Sequence, residues 1–166
     1  MYSPPTQQDP REITIDQARF RDLLAVAAIQ RDAFRPGLAY SRFALVVLWL
    51  LPAATFLVAR DAGTGEVLGN LITDRHRGNT RIVNIAVAKH ARRQGIGRRL
   101  LRVLDERCPE GDIVLSVEAS NTSAQRLYEE EGFVRTAVTR DYYGPGHHGY
   151  TMKKPRRSRS VSVTAP

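Results

Sequence analysis

A single mixed α/β domain is the fold this chain predicts, on three observations. The hydrophobic fraction, 42% of 166 residues, suffices for one sizeable core and leaves little for a second. Apolar residues switch between helical and alternating spacing, and glycines or prolines sit at most of the switches. Together these predict a mostly antiparallel sheet of about seven strands interleaved with helices.

Taken in order, residues 1–11 hold three prolines among polar neighbours and read as a flexible arm. Ile13 to Ile15 begin a first strand, and Asp16 is placed to cap a helix whose apolar face is Phe20, Leu23, Leu24, Ala27 and Ala28. Pro36 and Gly37 end that helix, and a second runs from Tyr40 to Leu51. Phe43 to Ala59 carries no charge for 17 residues, at the short limit for a membrane span of about 20. Pro52 divides it, and the β-branched and aromatic residues beyond favour a buried helix end, a break and a strand.

Thr55–Arg60, Glu66–Thr73 and Arg81–Lys89 then read as an antiparallel meander turned at DAGTG and HRGNT. Gly95 to Cys108 is a helix with Ile96, Leu100, Leu101, Val103 and Leu104 on its apolar face, closed by Pro109 and Gly111. Asp112–Glu118 is a strand. Thr122–Glu131 is a short helix with Ala124, Leu127 and Tyr128 inward, ended by Gly132; Phe133–Thr139 and Tyr150–Lys153 are the last strands. The domain therefore spans 12–154, and 155–166 is a basic, disordered tail.

The lone Cys108 has no intrachain disulfide partner, and the chain opens without a signal-peptide pattern, so a cytoplasmic protein that does not enter membranes is expected. Of the formal charge of +8, five charges come from Lys153, Lys154, Arg156, Arg157 and Arg159 near the end, leaving about +3 for the rest. That remainder is weak support for a nucleic-acid partner; the tail itself is the place where ribosome or RNA contact is conceivable.

The chemistry concentrates at Arg92–Arg98, RRQGIGR, where a strand passes directly into a helix. The first N–H groups of a helix have no intrahelical acceptor, its dipole is positive there, and glycines let an anion approach the backbone. A phosphate fits. The dinucleotide-binding G-x-G-x-x-G and the triphosphate-binding G-K-[ST] are both absent.

RRQGIG resembles the [QR]-x-x-G-x-[GA] signature of the GNAT superfamily of N-acetyltransferases. NIAV at Asn84–Val87 and LSVEASNTSAQRLYEEEGF at Leu115–Phe133 resemble the family segments on either side, closest to the ribosomal-protein and N-terminal acetyltransferases. The resemblance covers residues 12–154 and implies helices on both sheet faces and acetyl-CoA as cosubstrate. It implies that Ile85, Ala86 and Val87 pair with the pantetheine arm and that Arg92, Arg93, Gln94, Gly95, Ile96, Gly97 and Arg98 hold the pyrophosphate. It further implies that Asn121 contacts the arm and that Tyr128, near the thioester sulfur, acts as general acid.

An amine must lose a proton to attack a thioester. Where the ribosomal-protein enzymes carry a catalytic glutamate this chain has Ser116, a poor base. Glu118 lies on the same strand face, about 7 Å further along, and is the catalytic candidate through a water; Asn84 or Ser116 can equally hold a water that passes the proton to solvent. The segment DYYGPGHHGYTMKK resembles the end of N-terminal acetyltransferases, which makes Tyr142 and Tyr143 one wall of a peptide site and Phe34, Pro36 and Tyr40 the other. The implied substrate is a protein N-terminal α-amine. A lysine or small-molecule acetyltransferase and a non-catalytic acyl-CoA sensor remain as alternatives. His147 and His148 lack a third ligand and read as a solvated loop; the run Glu129–Glu131 reads as a solvated helix face, and no metal is expected.

Overall fold

The computed structural model describes residues 12–35, 40–108 and 110–156. Its strands are β1 (Ile13–Gln17), β2 (Thr55–Asp61), β3 (Val67–His76), β4 (Asn79–Val87), β5 (Ile113–Glu118), β6 (Val134–Thr139) and β7 (Gly149–Lys154); its helices are α1 (Leu23–Ala33), α2 (Arg42–Leu50), α3 (Ile96–Arg107) and α4 (Thr122–Glu130). The seven strands form one sheet in the order β1-β2-β3-β4-β5-β7-β6, antiparallel except between β4 and β5.

The meander arises from local turn chemistry. Between β3 and β4 only Arg77 and Gly78 turn, at φ 51° and 79°, a two-residue hairpin whose left-handed pair matches the strand twist. HRGNT is thus mostly strand: β3 runs on to His76 and β4 starts at Asn79. β4 also stops at Val87 rather than Lys89, because Lys89–Ala91 coils into a short 3-10 turn. Between β2 and β3, Asp61 Oδ1 accepts the N–H groups of Gly63 and Thr64, each at 2.9 Å.

The entry to α1 differs from expectation. β1 continues to Gln17 and Asp16 pairs opposite Val58, so Asp16 cannot cap. Asp22 does related work: its Oδ2 accepts the Arg19 N–H at 2.8 Å and meets Arg60 Nη2 at 2.8 Å. Burial alone would raise the Asp22 carboxyl, but Arg60 and the Arg19 N–H hold it below the usual range. The later start rotates the helix face. Leu23, Val26, Ala27 and Ile29 go inward, whereas Phe20 and Leu24 are 64% and 66% exposed. Phe20 instead sets its ring edgewise against Trp49, 5.8 Å away.

Ser41 caps α2 by accepting the Ala44 N–H at 3.1 Å, and the helix ends after nine residues, before β2. No helix among the described residues is long and apolar enough to cross a membrane. Leu45, Leu100, Leu104, Phe56, Leu71 and Met152 fill the core with almost no exposure. Gly69 matters for how α3 sits: a Cβ there would lie 2.9 Å from the Ala86 carbonyl and 3.3 Å from Ile96, so its absence lets the start of α3 close on β3 and β4.

At the far end, Lys153 pairs with Asp112, Lys154 with Asp105, and Arg156 with Asp105. The Arg156 guanidinium also donates to the carbonyls of Asp105, in the last turn of α3, and Cys108, just after it. Three of the five charges counted near the end of the chain are therefore held on the domain, by two carboxylates. Pro36, Gly37 and Pro109, the arm at 1–11 and residues 157–166 of the tail lie outside the described residues.

Candidate active site

The parallel ladder between β4 and β5 is short: Thr80, Arg81 and Ile82 pair with Ile113, Val114 and Leu115, and there it ends. Beyond it β4 bends, where the register with β3 shifts between Ile72 and Thr73, while β5 stays with β7 as far as Glu118 opposite Gly149. The strands part. A cavity of about 720 Å³ occupies the opening, lined by both strands, the end of α1, α4 and the β6–β7 hairpin.

Val114, Ser116 and Glu118 turn toward it while Leu115 and Val117 enter the core, as alternation requires. Asn84, Ile85, Asn121, Tyr128, Phe34, Tyr40, Tyr142 and Tyr143 also line it, so both expected walls and both catalytic candidates meet in one space. Ala86, Val87 and Arg92–Arg98 do not. Ala86 is buried, and the Val87 carbonyl accepts from Arg92 Nε at 3.1 Å, so Arg92 already has a backbone partner.

The turn before α3 stands beside the cavity, against α4. Arg93 and Gly95 both adopt left-handed φ, 65° and 75°, and no side chain among the described residues caps the helix, which leaves its first N–H groups without a side-chain acceptor. A left-handed arginine costs about 1–3 kcal/mol, strain typical of ligand-binding turns. Gly97 has a packing reason as well: a Cβ would come within 3.0 Å of Leu127. Arg98 pairs with Glu130 and, at 3.0 Å, with Glu131. Arg102 joins Glu131 too, and that side chain is only 8% exposed; one of the three glutamates is thus an inter-helix tie rather than a solvated group.

Tyr128 is 6% exposed and tilts against Phe133. Burial, with Tyr143 nearby, pushes its phenol well above the ordinary 10. Tyr143 is pushed to about 12 by burial and by Tyr142 and Glu118. Both phenols stay protonated through the neutral range. Their contribution to stability is complete below about pH 10, the unfolded value, and is lost as pH rises through the folded ones. Tyr142 packs edgewise on Tyr143 at 4.8 Å and over Gly149, where a Cβ would lie 3.0 Å from the tyrosine. Burial likewise raises Tyr40.

Glu118 is not an isolated carboxylate. Its Oε1 receives His147 Nδ1 at 2.7 Å and Arg35 Nη2 at 3.1 Å, while Arg35 Nη1 reaches His147 Nε2 at 2.9 Å. The Glu118 carbonyl accepts from Gln125 Nε2 at 3.2 Å, and Arg135 in turn holds the Gln125 oxygen at 3.1 Å. Asn121 uses its Oδ1 to cap α4 through the Ala124 N–H at 3.1 Å, and Asn84 uses its Oδ1 to accept from Asn70 at 2.8 Å. Arg35, Gln125 and the engaged state of His147 escape a reading of the sequence alone. The available signal was the adjacency of the His147 hairpin to the strand that pairs with Glu118. Among the described residues no group of three or more His, Cys, Asp or Glu is arranged to hold a metal.

A splayed β4–β5 pair, an uncapped turn into α3 and a buried tyrosine on α4 define an acyltransferase architecture. The chain belongs to the GNAT acetyltransferase family: the family model described as "Acetyltransferase (GNAT) domain" matches residues 52–135. It is 32% identical over 152 residues to an uncharacterized N-acetyltransferase of Methanocaldococcus jannaschii, covering 87% of this chain and 94% of that one. It is 30% identical to an N-alpha-acetyltransferase of Sulfurisphaera tokodaii with the same coverages. The structure of Ard1 from Thermoplasma volcanium superposes with a TM-score of 0.77 at 27% identity, over 88% of this chain and 99% of that one. The Escherichia coli ribosomal-protein-S18-alanine N-acetyltransferase shares the fold, with a TM-score of 0.81 at 24% identity over 93% and 100%. The family uses acetyl-CoA as acyl donor.

Proposed function

We propose that this acetyltransferase acts on the N-terminal α-amine of a protein. The observation that carries this reading is the cavity lining: Phe34 and Tyr40 from the α1–α2 connection and Tyr142 and Tyr143 from the β6–β7 hairpin share it, with Glu118 the only carboxylate lining it among the described residues. Rigid rings with polar tips suit an extended peptide, whereas a polyamine or aminoglycoside calls for several carboxylates. The relatedness to an N-alpha-acetyltransferase supports the same choice.

Acetyl-CoA supplies the acyl group and a thiolate leaving group. In this reading the open edge of β4 around Ile85 receives the pantetheine arm as an added strand, and the N–H groups from Arg93 to Gly97 receive the pyrophosphate. Arg93 and Gln94 flank that site; Arg92 and Arg98 shape it from their contacts with Val87 and α4. Asn121, its oxygen spent on the cap, offers its amide N–H to the arm. Glu118 takes the proton of the attacking amine through a water, at Oε2, which no hydrogen bond among the described residues occupies. Tyr128 donates a hydrogen bond to the departing sulfur. Its raised pKa makes it a weak acid, so it orients more than it protonates.

Tyr128→Phe is accordingly expected to lower kcat only about 10-fold, the worth of one hydrogen bond, with the KM for acetyl-CoA little changed and no basic limb removed below about pH 10. Steady-state assays with thiol detection check this. The substrate assignment itself is tested by incubating the protein with acetyl-CoA and a library of N-terminal peptides, then locating the acetyl group by mass. Acetyl on α-amines supports the reading; acetyl confined to lysine side chains, or thiol-free binding alone, overturns it.

A further inference from the structure

Side chains from two separate elements converge on one carboxylate oxygen of a third. Arg35 comes from the connection after α1, Glu118 from the end of β5 and His147 from the β6–β7 hairpin, and they close a triangle of contacts of 2.7, 2.9 and 3.1 Å at the mouth of the cavity. The hydrogen-bond chemistry of the triangle fixes the imidazole. A guanidinium only donates, so His147 Nε2 accepts from Arg35, and the ring proton resides on Nδ1, from where it is donated to Glu118 Oε1. Both donors use Oε1. The carboxylate is thereby held in one orientation with Oε2 turned free of them.

We propose that His147, with Nε2 facing Arg35 and Nδ1 facing Glu118, is the positioning residue that aims Glu118 at the attacking amine. This rests on the reading of Glu118 as the base. In the step it serves, the amine nitrogen forms a bond to the acyl carbon as the carbon–sulfur bond breaks. The amine proton passes through a water to Glu118 Oε2, and the electron pair leaves on sulfur, which accepts a hydrogen bond from Tyr128. His147 itself touches neither reactant. The arrangement also accounts for a polar but non-basic Ser116 one alternation earlier on the same face: the acceptor has moved to the strand end, where the hairpin and the α1 connection can hold it.

Protonation of Nε2 would turn the ring into a donor on both sides and break the bond from Arg35, so the triangle is competent only with neutral His147. The other charged or titratable groups around the ring are Arg35, Glu118 and, within its own hairpin, Asp141, Tyr143 and His148. Among the described residues Glu118 is the acceptor bonded to Nδ1, and none of the others adds a second.

The experiment is a double-mutant cycle with pH profiles. His147→Ala is expected to lower kcat about 10-fold with peptide KM changed less than about threefold, and His147→Asn, whose amide N–H can replace Nδ1–H, to recover most of it. One ionisation on the acid side of the wild-type kcat/KM profile should be missing from the Asn variant. In a Glu118→Gln background, His147→Ala should cost nothing further. An equal loss in both backgrounds, or an Asn variant no better than Ala with an unchanged pH profile, overturns the role of His147 while leaving Glu118 as base. Retention of more than half of kcat by Glu118→Gln alone overturns both.

Discussion

Glu118→Gln is expected to lower kcat about 10²-fold, at the low end of what a general base contributes, while the KM for acetyl-CoA stays within about twofold. The substitution is nearly isosteric. The amide oxygen still accepts from Arg35 and His147, so the triangle at the cavity mouth and the β5–β7 pairing survive; what disappears is a proton acceptor at the second oxygen. A loss at the low end is expected because Ser116, exposed in the same cavity, and Asn84 are polar groups that could hold a water to take part of the proton flux in the variant. Rapid-quench single-turnover measurements isolate the chemical step. A variant that keeps more than half of wild-type kcat removes Glu118 as the essential base and leaves the solvent route in its place.

What was legible in the sequence is what depends on neighbours along the chain. The two-residue helix approach at Gly95 and Gly97, the alternation that puts Ser116 and Glu118 on one face, and the helical spacing of Ala124 and Tyr128 all follow from local periodicity. The strand count and the meander followed too. The misreadings have non-local causes. Asp16 was a plausible cap until pairing with β2 drew β1 out to Gln17. Arg98 keeps its place beside the proposed anion site; what spacing did not reveal is that α4 brings Glu130 and Glu131 against it from 32 and 33 residues away. His147 sits 29 residues from Glu118, and the two meet because β7 inserts between β5 and β6, which puts Gly149 opposite Glu118. Strand order is a global property, and it decides which hairpin overhangs which strand end.

The helix that follows the proposed anion-binding turn is also a main contributor to the core, and the two roles separate under mutation. Leu100→Ala is expected to lower stability by about 2–5 kcal/mol, since Leu100 is wholly buried on α3 and the rigid sheet beneath cannot collapse into the space left. For a domain of this size that corresponds to a fall in Tm of roughly 5–15 °C. The turn is left intact, so saturating acetyl-CoA should still raise Tm, by the equivalent of about 2.7 kcal/mol at a hundredfold excess over Kd. Gly95→Val should behave in the opposite way. A Cβ at Gly95 meets nothing within 4 Å, so the core is untouched; yet φ of 75° is strained for a β-branched residue, and relieving that strain turns the N–H groups away from their common focus. The expected result is a small change in the Tm of the free protein with most of the acetyl-CoA-induced shift lost. Differential scanning fluorimetry of the two variants with and without acetyl-CoA reads both quantities at once. A full ligand shift in Gly95→Val would show that the anion is held elsewhere, and the side chains of Arg92 and Arg93 would then be the groups to test.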